Sequence, residues 1–133
     1  MASRRLQDLS PAFRALSEKF LDGARSAGLD LLIVCTLRRA EEQADLYALG
    51  RTKPGRIVTW ARPWESKHQT GEAIDVVPMV NGKPLWSTSG ADMQVWQAVG
   101  NCGVLAGLEW AGNWPARIRE YGHFQAKKSK GTS

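Results

Sequence analysis

Ser66-Lys67-His68-Gln69-Thr70-Gly71-Glu72-Ala73-Ile74-Asp75 is the stretch on which the reading of this chain turns. Its second half is apolar and β-branched and runs on to Val77, which predicts a strand entered through a turn at Gly71. Its imidazole and its carboxylate lie seven residues apart, on either side of that turn. A second stretch, Glu120-Tyr121-Gly122-His123-Phe124, supplies the other histidine; the chain has two. Two imidazoles and one carboxylate, with a fourth position left for water, form the ligand set of a catalytic zinc. Glu120, three residues before His123, is then the natural general base. Glu120 and His123 converge only if Tyr121-Gly122 forms a turn, because alternate residues share a face of a strand and these two are three apart. Single histidines are mostly structural and a chance Glu-x-x-His is common, so the residues alone leave a metal site and a pair of structural histidines equally open.

Outward from these motifs the chain reads as one domain. It has 133 residues, 43% of them hydrophobic and 23% charged, and a net charge of +5. That balance suits polyanionic surroundings: nucleic acid, anionic lipid or bacterial wall polymers. No nucleic-acid-binding motif accompanies the charge. The charged N-terminus is not followed by an apolar stretch of signal-peptide length, which predicts a cytoplasmic product. Cys35 and Cys102, in a chain read without an export signal, are expected as free thiols.

Ser10-Pro11 starts a helix whose apolar face is Phe13, Leu16, Phe20, Ala24 and Ala27, stopped near Gly28. Leu29 to Thr36 is a buried strand, and a second helix covers Ala40 to Leu49. Ile57-Val58-Thr59 is expected as a short strand. Trp60 and Trp64 form a loop before the first motif and either wall a substrate or pack in the core. Pro78 is expected to end the Ala73 strand or to mark an edge. Asn81-Gly82 predicts a hairpin to Leu85-Trp86. Ser87-Thr88-Ser89 offers N-caps for a helix from about Gly90 to Ala106, and short strands follow at Leu108–Trp110 and Gly122–Gln125. Helices and short strands without a βαβ rhythm predict an α+β fold: a single domain, residues 1–125, with a small antiparallel sheet flanked by helices. Residues 126–133, including Lys127, Lys128 and Lys130, are expected as a polar, disordered tail.

Ser-x-His-x-x-Gly-x-Ala-x-Asp at 66–75, followed by Glu109-Trp110, Trp114 and Glu120-Tyr121-Gly122-His123-Phe124-Gln125, resembles the zinc-dependent VanY/D-Ala-D-Ala carboxypeptidase family. It is most similar to that family's phage members, the L-alanyl-D-glutamate endopeptidase endolysins. Arg38-Arg39-Ala40-Glu41-Glu42-Gln43 resembles the family's Arg-x-x-x-x-Gln helix start. Glu120 stands where several phage members carry Asp, and Ala111 where the family often has Gly. The resemblance implies a hedgehog/D,D-peptidase-like fold and one Zn2+ per chain, held by His68, Asp75 and His123. It implies Glu120 as the base that takes the attacking water's proton and returns it to the leaving amine. Arg38 is implied to steady the scissile carbonyl or a substrate carboxylate, and Ser66 to support the site or touch substrate. The implied substrate is the stem peptide of bacterial peptidoglycan, cut between L-Ala and D-Glu by a monomer that waits in the host cytoplasm for a holin-type pore. A D,D-carboxypeptidase removing terminal D-Ala and a non-catalytic zinc-bearing binding module are the alternatives.

Overall fold

The computed structural model describes residues 2–59, 61–62 and 66–127; Trp60, Trp64 and the tail from residue 128 lie outside the described residues. Helix α1 (Pro11–Ser26) is followed by strand β1 (Asp30–Cys35), helix α2 (Ala40–Ala48), strand β2 (Ala73–Val80) and the two-residue strand β3 (Lys83–Pro84). Helix α3 (Asp92–Leu105) and the short strands β4 (Glu109–Trp110) and β5 (His123–Gln125) complete the order. The sheet is antiparallel throughout, in the order β1-β2-β5-β4, with β3 on the far end of β2. This is the α+β arrangement expected: a small antiparallel sheet flanked by helices.

One face of the sheet makes the core. Ile74 and Val76 of β2, Phe124 of β5 and Trp110 of β4 pack with Phe13 and Phe20 of α1, Val99 of α3 and Leu108. In α1 the buried positions 13, 17, 20 and 24 keep the helical spacing, so one stripe faces the sheet. Phe20 meets Phe124 with ring centroids 4.5 Å apart. Helix α3 approaches closely because its inner side carries glycine: a Cβ on Gly103 would stand 2.3 Å from the Phe124 ring.

The other face carries the polar residues, and register decides which. Asp75 of β2 pairs with His123 of β5 on one side and with Cys35 of β1 on the other. Directly opposed residues project to the same face, so the three side chains line up across three strands. The line depends on a β-bulge. From Asp30↔Met79 to Ile33↔Val76 the β1–β2 register is regular, and it then shifts so that Cys35, not Val34, faces Asp75. An unbroken ladder would turn Cys35 to the core face.

Three expectations need correction. Residues 57–59 are not a strand; they pair with no strand among the described residues, and Ile57 and Val58 are exposed, so β-propensity alone does not build a ladder there. Strand β2 runs through Pro78 to Val80. The Pro78 carbonyl accepts from the Leu85 N–H at 2.8 Å; a residue's N and carbonyl share one side of a strand, so the missing N–H faces the short β3 flank and costs the β1 ladder nothing. Helix α3 starts at Asp92 without a side-chain cap. The Ser89 carbonyl instead accepts the Asp92 N–H at 3.2 Å, and the Ser87 carbonyl the Trp96 indole N–H at 2.9 Å. The Asn81-Gly82 hairpin is present, with φ of 54° and 76°, as a primed turn requires. Both cysteines are free.

Gly122, just before β5, lies tight against β2: a Cβ there would stand 2.6 Å from the Val76 carbonyl oxygen. That oxygen belongs to rigid sheet backbone, so Gly122→Ala is expected to cost about 1–3 kcal/mol, the usual range for overpacking. Urea unfolding monitored by tryptophan fluorescence measures it; unchanged stability would mean that the strands separate without strain.

Candidate metal and catalytic site

His68 is held by the segment that leaves β1. It sits in a one-turn helix, Lys67–Thr70, whose N-cap Ser66 accepts the His68 backbone N–H through Oγ at 3.2 Å. Gly71, with φ of 73°, ends the turn in the left-handed conformation and sends the chain into β2. The His68 carbonyl accepts the Arg38 N–H at 3.0 Å, and His68 Nδ1 lies 2.7 Å from the Thr36 carbonyl oxygen. A carbonyl only accepts, so Nδ1 carries the proton and the Nε2 lone pair points into the site. Nε2 is buried, 3.1 Å from Asp75 Oδ2, but at an angle that makes no hydrogen bond.

His123 arrives from the opposite direction. The turn at Tyr121-Gly122 precedes β5, and His123 Nδ1 lies 2.9 Å from Asp75 Oδ1. Its ring is packed against that of Trp114, with centroids 5.5 Å apart. His68 Nε2 and His123 Nδ1 thus lie against the two oxygens of one carboxylate, Asp75 Oδ2 and Oδ1. An imidazole nitrogen set against a carboxylate oxygen calls for a proton or a metal ion between them, and two imidazoles with one carboxylate are a borderline-soft set that suits zinc. The residues present fit that metal. Cys35 also clusters with His68 and Asp75, but its Sγ lies 3.6 Å from His68 Nδ1, the nitrogen already committed to Thr36.

Arg38 and Arg39 separate cleanly. The Arg39 side chain is 72% exposed and pairs with Glu41 and Glu42, whereas Arg38 is 17% exposed and has Nη2 4.0 Å from Asp75 Oδ2. Arg38 Nη1 donates to Gln43 Oε1 at 2.9 Å and Nη2 to Cys35 Sγ at 3.5 Å. Gln43 is fully buried and its amide donates to the Ala61 carbonyl at 2.6 Å. The five-residue spacing from Arg38 to Gln43 therefore ties the guanidinium, through the Gln43 amide, to Thr59 and Ala61. Glu120 stands on the rim of a cavity of about 520 Å³ that also takes in Arg38, Ser66, His68, Asp75 and His123. Sequence reasoning missed Cys35, the Thr36 carbonyl and Gln125, whose Oε1 lies 3.0 Å from His123 Nε2.

Electrostatics agree with the geometry. Burial works to lower the His68 pKa, but the Asp75 carboxylate, with a smaller contribution from Cys35, outweighs it and raises it from 6.5 to about 10. Burial likewise works to lower the His123 pKa, and Asp75 overrides it, so the net shift is upward. For Asp75, burial pushes up while the two imidazoles pull down, and the net shift is well below the usual carboxylate range. Burial of the Glu120 carboxylate raises its pKa above 4.5, partly offset by His123.

The signs predict a stability window for protein stripped of metal by a chelator. A raised imidazole pKa stabilises fully below the unfolded value of 6.5 and loses that contribution as pH climbs toward about 10. The lowered Asp75 pKa stabilises above the unfolded 3.8 and is lost as pH falls below it. Thermal unfolding of the stripped protein should be most favourable to the fold between about pH 4 and 6.5 and decline on the alkaline side. His68→Ala should flatten that alkaline limb; a limb of unchanged slope in the variant would show that the imidazole does not hold the proton.

Residues 59–126 match the family described as D-alanyl-D-alanine carboxypeptidase, peptidase family M15. The chain is 34% identical over 123 residues to the peptidoglycan L-alanyl-D-glutamate endopeptidase CwlK of Bacillus subtilis (strain 168), covering 89% of this chain and 73% of that protein. Among solved structures, the L-Ala D-Glu endopeptidase ChiX of Serratia marcescens superposes with a TM-score of 0.68 at 21% identity, covering 96% of this chain and 89% of the other. The D,D-pentapeptidase VanY from a VanB-type resistance cassette, in complex with Zn(II), superposes with a TM-score of 0.61 at 17% identity, covering 89% of this chain and 72% of that one. With the two motifs folded onto one carboxylate and this span of similarity around them, the chain belongs to peptidase family M15.

Proposed function

We propose that the chain is a zinc-dependent endopeptidase that hydrolyses the L-Ala–D-Glu bond of peptidoglycan stem peptides. The observation that carries the reading is the convergence of His68 Nε2, Asp75 and His123 Nδ1 beside Glu120 and Arg38. The names of CwlK and ChiX support the bond assignment, and the Zn(II) complex of VanY supports the metal. The site also borders a second cavity. That cavity, of about 280 Å³ and lined by Trp86 and Trp96, shares Asp75, Glu120 and His123 with the first. Two cavities that meet at the reacting residues leave room for chain on more than one side of the cut, which suits a cut inside a chain better than removal of its last residue.

His68, Asp75 and His123 would hold one zinc per chain. When bound, zinc supplies Lewis acidity at this point, which activates water and polarises a carbonyl. Glu120 takes the proton of the attacking water on its carboxylate and returns it to the leaving amine; its raised pKa suits a group that both accepts and donates. Arg38, fixed by Gln43, sets a positive charge beside the carbonyl oxygen as negative charge develops there. Ser66 braces the His68 turn. The likeness to phage endolysins supports a lytic role, in which a monomer waits in the host cytoplasm until a holin-type pore admits it to the wall.

Digestion of purified muropeptides followed by mass spectrometry tests the reaction. Peptides beginning with D-Glu are expected. Release of free D-Ala from an intact stem would replace the reading with a carboxypeptidase, and no product at all would leave a binding module. Glu120→Gln is expected to keep zinc and lose turnover by about 10²–10⁴-fold, the range of general acid–base catalysis; a loss under about tenfold removes Glu120 from that role. Metal analysis of His68→Ala and His123→Ala should find zinc lost from each. Arg38→Ala should cut turnover with little change in zinc content, whereas Arg39→Ala should be close to wild type.

A further inference from the structure

We infer that Gln125 and Glu109 are positioning residues that hold His123 in the one tautomer able to bind metal through Nδ1; the inference rests on the zinc site proposed above. An imidazole offers a metal one nitrogen and must carry its proton on the other. For His68 the proton is placed by the Thr36 carbonyl. For His123 the nitrogen facing Asp75 is Nδ1, so the proton belongs on Nε2, and Nε2 lies 3.0 Å from Gln125 Oε1.

An amide is a weak guide on its own, because turned end for end it offers a donor and demands the opposite tautomer. Glu109 removes that freedom. Gln125 Nε2 donates to Glu109 Oε2 at 3.3 Å, and the Trp114 indole N–H donates to the same oxygen at 2.9 Å. The carboxylate faces two donors and accepts from both, so the Gln125 amide nitrogen turns to Glu109 and its oxygen to His123. The backbone sets the same order. Gln125 is two residues from His123 on β5, hence on the same face, and Glu109 pairs directly with Gln125 across the β4–β5 ladder. Trp114 closes the chain, with its ring against His123 and its N–H on Glu109.

The two histidines should therefore be opposite tautomers in one site: Nδ1–H in His68 and Nε2–H in His123. As the chain contains no others, long-range proton–nitrogen spectra of untagged, zinc-loaded protein resolve both rings. The expected pattern is one ring of each tautomer. Gln125→Met, close in size but unable to accept, should weaken zinc binding by about 10–100-fold in chelator competition and disturb the His123 ring signals alone. Glu109→Met should act in the same direction. Glu109→Gln should restore near-wild-type affinity and the wild-type ring pattern, because its single carbonyl oxygen can take both donors. Unfolding of the chelator-stripped variants in urea separates this from simple loss of fold. A wild-type His123 carrying its proton on Nδ1, or a folded Gln125→Met with wild-type zinc affinity and ring pattern, overturns the inference while leaving the peptidase reading intact. Wild-type protein that takes up no zinc overturns both.

Discussion

Everything in this site answers to one electrostatic constraint: two buried imidazoles are set against the two oxygens of a single carboxylate. Each is an acceptor, and an unsatisfied buried acceptor costs about 1–3 kcal/mol. The fold accepts that cost and leaves its relief to a cation at the site, a proton or a metal ion. Thr36 keeps the His68 ring from turning its protonated edge inward, and Gln125 faces the outer nitrogen of His123. The raised pKa of both imidazoles and the lowered one of Asp75 express the same demand for positive charge. A site built on this demand fills with positive charge either way, with protons when stripped of metal and with a metal ion when one is bound.

The sheet separates this demand from stability. Residues of one parity, Ile74, Val76 and Phe124, lie in a core with Phe13, Phe20 and Leu108. Residues of the other parity, Asp75, His123 and Gln125, form the polar face. The same short strands that fix the ligands are thus pinned from behind by aromatic packing, as in Phe20 against Phe124. Ligands carried on strands backed by a packed core keep their geometry better than ligands on loops. The residues that approach substrate from elsewhere, Arg38 and Glu120, come from segments between elements, tied back through Gln43 and through the Ala111 carbonyl.

His68, Asp75, His123 and Glu120 were legible as a group because each brings a side chain whose chemistry is specific and whose spacing crosses a glycine turn. The sheet was legible from Leu31–Cys35, Ala73–Val77 and the Asn81-Gly82 turn. Arg38 could not be told from Arg39 on composition; what separates them is the buried amide of Gln43, a contact five residues away. The Thr36 contribution is a backbone carbonyl, which every residue type possesses and no sequence marks. Cys35 and Gln125 were invisible for a different reason. Their face depends on pairing register, and register is a relation between strands rather than a property of either one. Ile57-Val58-Thr59 misled in the other direction, since a β-rich run with no neighbour to pair with stays outside the sheet.

The bulge at the end of β1 lets the strand carry one residue more than the ladder needs without moving the site. One residue fewer between Ile33 and Thr36 would leave the hydrophobic pattern of the strand readable and the ladder regular. It would also keep Cys35 opposite Asp75, because the residue removed is the one the bulge leaves unpaired, and the anchors of His68 and Arg38 would stay at their step of the ladder. Two family members could then differ by one residue here and still orient the first histidine alike. For relatives of this chain, a single-residue gap just before the Arg-x-x-x-x-Gln segment removes the bulge and spares the site, although in an alignment it would pass for a displacement of everything that follows.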